Sequence, residues 1–384
     1  MPTITSGVQY SGIWNLSSQA SAVALTTWPA AYNPQALYSW GRNQVGQLGL
    51  GNLTNYSSPK QVGALTNWLS TACGKYHTIA AKTDGTLWSW GSNTYGQLGI
   101  GSTANNSSPN QVGALTTWYN IACGQDSTIA IKTDGTLWSW GRNSSGQLGL
   151  GNTTYYSSPK QVGALTTWYK VASGSLFTVA TKTDGTLWTW GSNVNGQLGL
   201  GNITTYSSPK QVGALTAWLN IGAGGYSVFA TKTDGTLWSW GMNHVGQLGL
   251  GNVTYYSSPK QIGALTTWLN IASGLYHALI TKTDGTLWAW GRGNTGQLGL
   301  GNLTAYSSPK QVGALTTWKK LAGGAQFTVA TKTDGTLWTW GRNNYGQLGL
   351  GNITTYSSPK QVGGLTTWFT LAAGFVHTIA ITTS

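Results

Sequence analysis

From Trp68 onward the chain falls into short runs of alternating apolar and polar positions, broken by glycine. Thr86-Leu-Trp-Ser-Trp-Gly91 alternates strictly, so Leu87 and Ser89 share one face of a strand and Trp88 and Trp90 the other. Ahead of it, Trp68-Leu-Ser-Thr-Ala-Cys-Gly74 ends in small residues, and Thr78-Ile-Ala-Ala-Lys-Thr83 is closed by Asp84-Gly85. After Gly91, a loop with Asn93 and Gly96-Gln-Leu-Gly99 gives way to Ser107-Ser-Pro109 and Gln111-Val-Gly113. The pattern predicts a meander of four antiparallel strands, A to D in chain order. Asp-Gly between alternating runs is the favoured two-residue hairpin turn, with positive φ expected at both residues. Proline near the last strand suits an outer edge, where no N–H is required.

The same pattern returns every fifty residues, anchored by Trp40, Trp90, Trp140, Trp190, Trp240, Trp290 and Trp340. A period of this length marks one supersecondary unit that buries its apolar face only against its neighbours. The first copy starts late, at Leu37-Tyr-Ser-Trp-Gly41, and supplies only strands C and D; the last stops at His377-Thr-Ile-Ala-Ile-Thr382 and supplies only A and B. Joined, they make one composite unit and leave no sheet edge open at the seam. The expected fold is all-β, a seven-bladed propeller of four-stranded antiparallel blades over residues 37–384, with residues 1–36 outside the repeat. Small residues at the end of strand A (Ala72, Cys73, Gly74) suit the centre of the ring, and the strand C tryptophans suit the gaps between blades. Each largely buried indole is worth on the order of 2–3 kcal/mol before entropy is subtracted.

Composition narrows the chemistry. Charged residues make up 7% of the chain, and glutamate is absent. Six of the seven aspartates (Asp84, Asp134, Asp184, Asp234, Asp284, Asp334) lie in the repeated Lys-Thr-Asp-Gly-Thr turn; only Asp126 stands elsewhere. Paired-carboxylate hydrolysis and oxygen-rich calcium or magnesium sites are therefore hard to build, and no cofactor is expected. The formal charge of +13 favours anionic partners, yet the lysines recur around the ring instead of forming the stripe that nucleic acid would need. They also serve to keep a charge-poor surface soluble. Cys73 and Cys123 occupy one repeat position that elsewhere holds Ser173, Ala223, Ser273, Gly323 and Ala373, which reads as a site for any small residue. His77, His277 and His377 share a position with Ser127, Phe177, Ser227 and Phe327, which argues for packing over metal or acid–base chemistry. The Asn-x-Thr triplets at Asn52, Asn152, Asn202, Asn252, Asn302 and Asn352 read as loop residues, since no signal peptide precedes them. No run is long enough to span a membrane.

The pattern Asp-Gly-x-Leu-x-x-Trp-Gly-x-Asn-x-x-Gly-Gln-Leu-Gly-x-Gly, followed by Pro-x-x-Val and Ala-x-Gly-x-x-His-Thr-x-Ala, resembles the repeat of the regulator-of-chromosome-condensation family. The resemblance covers residues 37–384 and implies a seven-bladed propeller latched by its termini. Kelch repeats have a similar period but a diglycine signature missing here. The family's founding activity is nucleotide exchange on a small GTPase. The resemblance implies that exchange uses an insertion projecting from the ring, and the unbroken fifty-residue spacing leaves no room for one. Relatives of the fold also include inhibitors of β-lactamase.

Repeats differ mainly in the A–B and C–D loops, which an up-and-down blade places on one face. All four arginines fall there, which gives a candidate recognition face of Arg42, Gln44, Tyr76, Tyr95, Arg142, Tyr226, His244, Tyr276, Arg292, Arg342 and Tyr345. Drift in exposed loops after recent duplication is the competing explanation. Residues 1–36 carry Ser11-Gly-Ile-Trp-Asn-Leu-Ser-Ser-Gln19 and Thr27-Trp-Pro29, and the pattern allows a short helix over roughly 16–26, capped by Asn15 or Ser17. This lead-in resembles those of environmental bacteriophage structural proteins that carry the same propeller repeat. It gives a candidate anchor of Ile13, Trp14, Leu16 and Trp28. The reading reached from sequence is a non-enzymatic virion structural or adhesin protein, docked to other virion proteins through residues 1–36. Its variable face would meet an anionic cell-surface polysaccharide or protein, with homo-oligomers compatible. A free lectin-like or inhibitor-like module is the alternative, and an exchange factor stands behind both.

Overall fold

The computed structural model describes residues 35–383. Seven four-stranded antiparallel sheets follow one another in the chain. In blade 1, strand A is Trp68–Cys73, B is His77–Lys82, C is Leu87–Gly91 and D is Asn106–Gln111. Strand D thus begins ahead of Pro109, and the proline lies inside the outer strand, where the C–D register is irregular. Blades 2 to 6 repeat this arrangement, with strand A at Trp118–Cys123, Trp168–Ser173, Trp218–Ala223, Trp268–Ser273 and Trp318–Gly323. Blade 7 is the composite: Leu37–Gly41 (C) and Tyr56–Gln61 (D) join Trp368–Ala373 (A) and His377–Thr382 (B). The seam pairs Leu37 with Ile381 and Gly41 with His377 across a continuous ladder. Gln35 lies beyond it in a parallel bridge to Asn67.

Blades stack by fitting the indole face of one strand C against the aliphatic face of the preceding blade. Trp68 and Trp90 of blade 1 pack with Leu37, Val62, Ile379 and Ile381 of blade 7. Trp68 meets Trp88 and Trp90 edge-on, with centroids 6.3 and 6.0 Å apart, the favoured geometry for aromatic quadrupoles.

The Gly-Gln-Leu-Gly motif fastens each blade to the next. The carbonyl of Gln47 in blade 7 accepts from Trp90 Nε1 (3.0 Å) and Thr78 Oγ1 (2.9 Å) of blade 1. At the closing joint, Gln347 accepts from Trp40 Nε1 (2.9 Å) and Thr378 Oγ1 (2.8 Å). Gly49 must be glycine for two reasons: its φ is 71°, and a Cβ would sit 2.8 Å from Trp90 Nε1. Asn43 holds the loop from inside, accepting from Leu48 N (2.9 Å) and donating to Asn52 O (2.9 Å). Asn52 in turn accepts from Thr54 N (3.0 Å), so the Asn-x-Thr triplet is an Asx turn of the loop.

The B–C turn differs from the two-residue hairpin expected. Gly85 N donates to Lys82 O (3.0 Å), placing Thr83 and Asp84 at the centre, with positive φ (77°) at Gly85. This is a three-residue loop closed by a left-handed glycine. Asp84 accepts from Thr86 N (2.9 Å) and Thr86 Oγ1 (2.6 Å), and Trp88 Nε1 donates to Thr86 Oγ1 (2.9 Å). The aspartate is chosen for its side chain as much as its backbone. Lys82 is buried with Nζ 3.8 Å from the Trp88 ring centre, so this lysine and its five repeats stack on indoles and add little to the solvated shell.

Candidate recognition face

Strand A is innermost, and its small last residues crowd the axis. Cys73, Gly74, Cys123, Gly124, Ser173 and their counterparts line an axial cavity of about 140 Å³. Both cysteines are free thiols, and burial pushes the Cys73 thiol up to about 12 and the Cys123 thiol in the same direction. These thiols are packing groups.

At this end of the axis the A–B and C–D loops meet. Within a blade they are tied through the backbone: Arg42 N donates to Val376 O (3.0 Å) and Ser92 N to Tyr76 O (2.8 Å). Between blades, Lys75 N donates to Gln125 O (2.9 Å) and Ser175 N to Gly225 O (3.0 Å). The loops are thus fixed from two directions, and side chains from successive blades come within reach of each other.

The structure gathers the predicted residues into three clusters. In the first, the Arg42 guanidinium lies between the rings of Tyr76 (5.0 Å) and Tyr345 (5.1 Å) and donates from Nε to Gln44 Oε1 (2.8 Å) and from Nη1 to Tyr76 OH (3.3 Å). Lys75 adds a second cation, 5.2 Å from the Tyr76 ring and 5.6 Å from Phe375. In the second, Arg142 lies 5.2 Å from the Tyr95 ring and pairs with Asp126 (3.4 Å). Tyr95 meets Tyr155 edge-on at 5.6 Å. Burial pushes the Asp126 carboxyl upward, opposed by Lys75 and Arg142. In the third, Tyr226 and Tyr276 stack at 6.2 Å and 21°, His244 stands edge-on to Tyr276 at 5.2 Å, and Arg292 lies 4.5 Å from the Tyr276 ring. Burial and then the Arg292 charge lower the His244 pKa, leaving that imidazole neutral beside the guanidinium. Arg342 stands apart and donates to Gln326 Oε1 (2.7 Å).

Asp126, Lys75 and Tyr155 complete these clusters, Gln326 holds Arg342, and all four are absent from the sequence-derived set. Their signal was available in part: Lys75, Asp126 and Gln326 occupy the variable A–B loop, but pairing across loops needs the backbone. The anchor residues Ile13, Trp14, Leu16 and Trp28, and the helix over 16–26, lie outside the described residues. The histidines at the shared position are core groups. His77 Nε2 lies 3.2 Å from Thr128 Oγ1 of the next blade, His277 pairs likewise with Thr328 and His377 with Thr78 (3.2 Å each). Burial lowers all three to about 3. Among the described residues no three His, Cys, Asp or Glu side chains gather to hold a metal, and no helix is long and apolar enough to cross a membrane. What the face presents is guanidinium, phenol and amide groups held in place by each other.

A model of the RCC1-like domain matches residues 167–384, more than half of the chain, and a model of the regulator of chromosome condensation (RCC1) repeat matches residues 36–81, 84–131 and 134–181. Protein RCC2 homolog of Xenopus laevis is 33% identical over 82 residues, 21% of this chain and 15% of that protein. Protein RCC2 of Mus musculus is 34% identical over 83 residues, again 15% of its length. The chain therefore spans a small part of these relatives. In fold it is similar to the crystal structure of human WBSCR16 (TM-score 0.82, 22% identity, 91% of this chain and 99% of that one). It is equally similar to Prp20p from Saccharomyces cerevisiae, whose structure is described with its binding to Gsp1p and histones (TM-score 0.82, 22% identity, 97% and 96%).

Proposed function

The chain belongs to the RCC1-like domain family, and on that premise we propose that it is a non-enzymatic binding module whose A–B and C–D loop face grips an acidic protein surface. The observation that carries this is the setting of the four arginines. Each is half-buried, and each is held by an aromatic or polar neighbour from an adjacent loop. A guanidinium already ordered before binding loses little entropy on contact, and Arg with Tyr is the composition of interface hot spots. A patch shaped by drift alone has no reason to keep three of its four arginines over tyrosine rings.

Prp20p, with the same fold, is described as binding proteins, which supports a protein partner over a polysaccharide. The finer reading is that this face is displayed on a virion as an adhesin, with residues 1–36 docked to other virion proteins. It rests on the resemblance of that lead-in and is tested by mass spectrometry of purified particles. For the binding face, the experiment is simultaneous exchange of Arg42, Arg142, Arg292 and Arg342 to alanine, probed on protein and glycan arrays at about 150 mM salt. Loss of an acidic-protein signal supports the proposal. A glycan signal lost instead would favour the polysaccharide alternative, and binding unaltered by the exchange would remove the face from consideration.

A further inference from the structure

The face with the uniform B–C turns has one place that varies. The second and third residues of strand A read Leu69-Ser70, Tyr119-Asn120, Tyr169-Lys170, Leu219-Asn220, Leu269-Asn270, Lys319-Lys320 and Phe369-Thr370. Strand A starts at this end of the axis, so its third residues form a collar around the axial opening opposite the recognition face. The collar is laced from blade to blade. Lys170 Nζ donates to Leu219 O (3.0 Å) and Asn220 Oδ1 (2.8 Å), Asn220 Nδ2 to Leu269 O (3.2 Å) and Asn270 Nδ2 to Lys319 O (3.2 Å). Lys170, Lys319, Lys320 and the three asparagines Asn120, Asn220 and Asn270 line a cavity of about 280 Å³. That exceeds the roughly 150 Å³ that accepts benzene in an engineered core.

Lys170 is on blade 3 and Lys320 on blade 6, nearly opposite in a ring of seven. No aspartate contributes to the surroundings of either amine. Burial lowers the Lys170 pKa, and at Lys320, exposed as its side chain is, desolvation and then the Lys319 charge act the same way. The aspartates of this face are engaged by the threonines of their own turns. Among the described residues Lys320 Nζ makes no ion pair, and Lys170 has used two of its three donors. Three lysines line this polar cavity, and no carboxylate is among its lining residues.

We infer that this axial opening is a binding site for phosphate oxyanions. Lys170 and Lys320 would grip the ligand from opposite sides, Lys319 would add long-range attraction, and the asparagines would hold the collar open. Charge-assisted N–H···O bonds are the strong class, and the half-buried Lys170 is screened less than a lysine on open surface. The inference is independent of the proposed recognition face.

The test is calorimetric titration of the full chain with sodium tripolyphosphate at about 20 and about 150 mM salt. A parallel arm uses vesicles bearing a phosphoinositide, to separate a free anion from a lipid headgroup. Lys320→Met should weaken tripolyphosphate binding about tenfold or more, the loss of one charge-assisted contact. Lys320→Arg should restore most of it, and Lys170→Met with Lys320→Met should abolish it. Lys360→Met on an outer strand and the four-arginine exchange should leave it unchanged. Unaltered melting of Lys320→Met separates lost binding from lost fold. Absence of binding at low salt, or equal binding by the double variant and the parent, overturns the site.

Discussion

Replacing His77, His277 and His377 together by phenylalanine should make the ring resistant to mild acid. Each imidazole is fully enclosed and bonded through Nε2 to a threonine of the next blade. For His77 the tautomer follows from proton count. The partner Thr128 Oγ1 gives its one proton to Gln97 O (2.8 Å), so Nε2 must carry the hydrogen. His277 and His377 face threonines engaged in the same way, with Gln297 O and Gln47 O. In all three, Nδ1 is left as a buried lone pair with no side-chain partner, and a proton added there has no acceptor. Burial is the main reason the folded pKa falls to about 3, while the unfolded chain titrates near the ordinary imidazole value of 6.5. As pH drops through 6.5 the unfolded state takes up protons that the folded ring refuses. Stability is thus fully present above that value and lost progressively toward pH 3. At pH 5 each histidine costs about 2 kcal/mol relative to neutral pH, or about 6 kcal/mol for three, at 1.36 kcal/mol per unit. That is a large share of a typical 5–15 kcal/mol. Phenylalanine fits because blades 3 and 6 already use it: Phe177 and Phe327 are fully buried at this position. Their rings crowd Gly174 and Gly324 as His77 crowds Gly74. Urea unfolding at pH 7 and pH 5 measures the effect. The parent should lose about 6 kcal/mol over this interval and the triple variant little. Equal stability of the parent at both pH values, or an unchanged slope in the variant, would refute the argument.

Gly49→Ala should destabilise by about 2–4 kcal/mol, from positive φ plus overpacking against Trp90. Gly51→Ala, with φ of 73° but its nearest neighbour Ser108 Oγ at 3.5 Å, should cost only about 1–2 kcal/mol, and thermal melts of the pair isolate the clash. Asp134→Ala should cost about 1 kcal/mol at pH 7 by removing the acceptor of Thr136 Oγ1 (2.6 Å) and Thr136 N (2.9 Å). Because those bonds hold the Asp134 carboxyl below its usual value, its contribution is present above pH 3.8 and lost as pH falls through the lower folded value. The gap between variant and parent should therefore narrow as pH falls below 3.8.

The blade was legible in the sequence because its periods are local. Alternation in Leu87-Trp-Ser-Trp-Gly91 depends only on the pleat, and a first copy with only strands C and D beside a last copy with only A and B calls for a composite sheet, which the Leu37–Ile381 pairing supplies. The length of the turn at Asp84 is not legible in the sequence, because two- and three-residue loops share the Asp-Gly pair. What separates them is a bond from Gly85 N to Lys82 O that composition does not encode. The function of Gln47 was hidden for the same reason. Its backbone carbonyl does the fastening, and any residue has a carbonyl; its repetition marked it as needed, not as a hinge between blades. The recognition face was legible as a list, since variation singles out loops, but not as a geometry. Arg42 meets Tyr345 only because blades 6 and 7 are neighbours in space, 303 residues apart in the chain (345 − 42). The axial collar escaped for a subtler reason. Lys170 and Lys320 sit in a strand, where periodicity reports only alternation along one copy. Their meaning lies across copies, at one position read around the ring. In a closed repeat fold the chemical unit is therefore a circle of equivalent positions, and side chains that cooperate are found by comparing the same step of every blade.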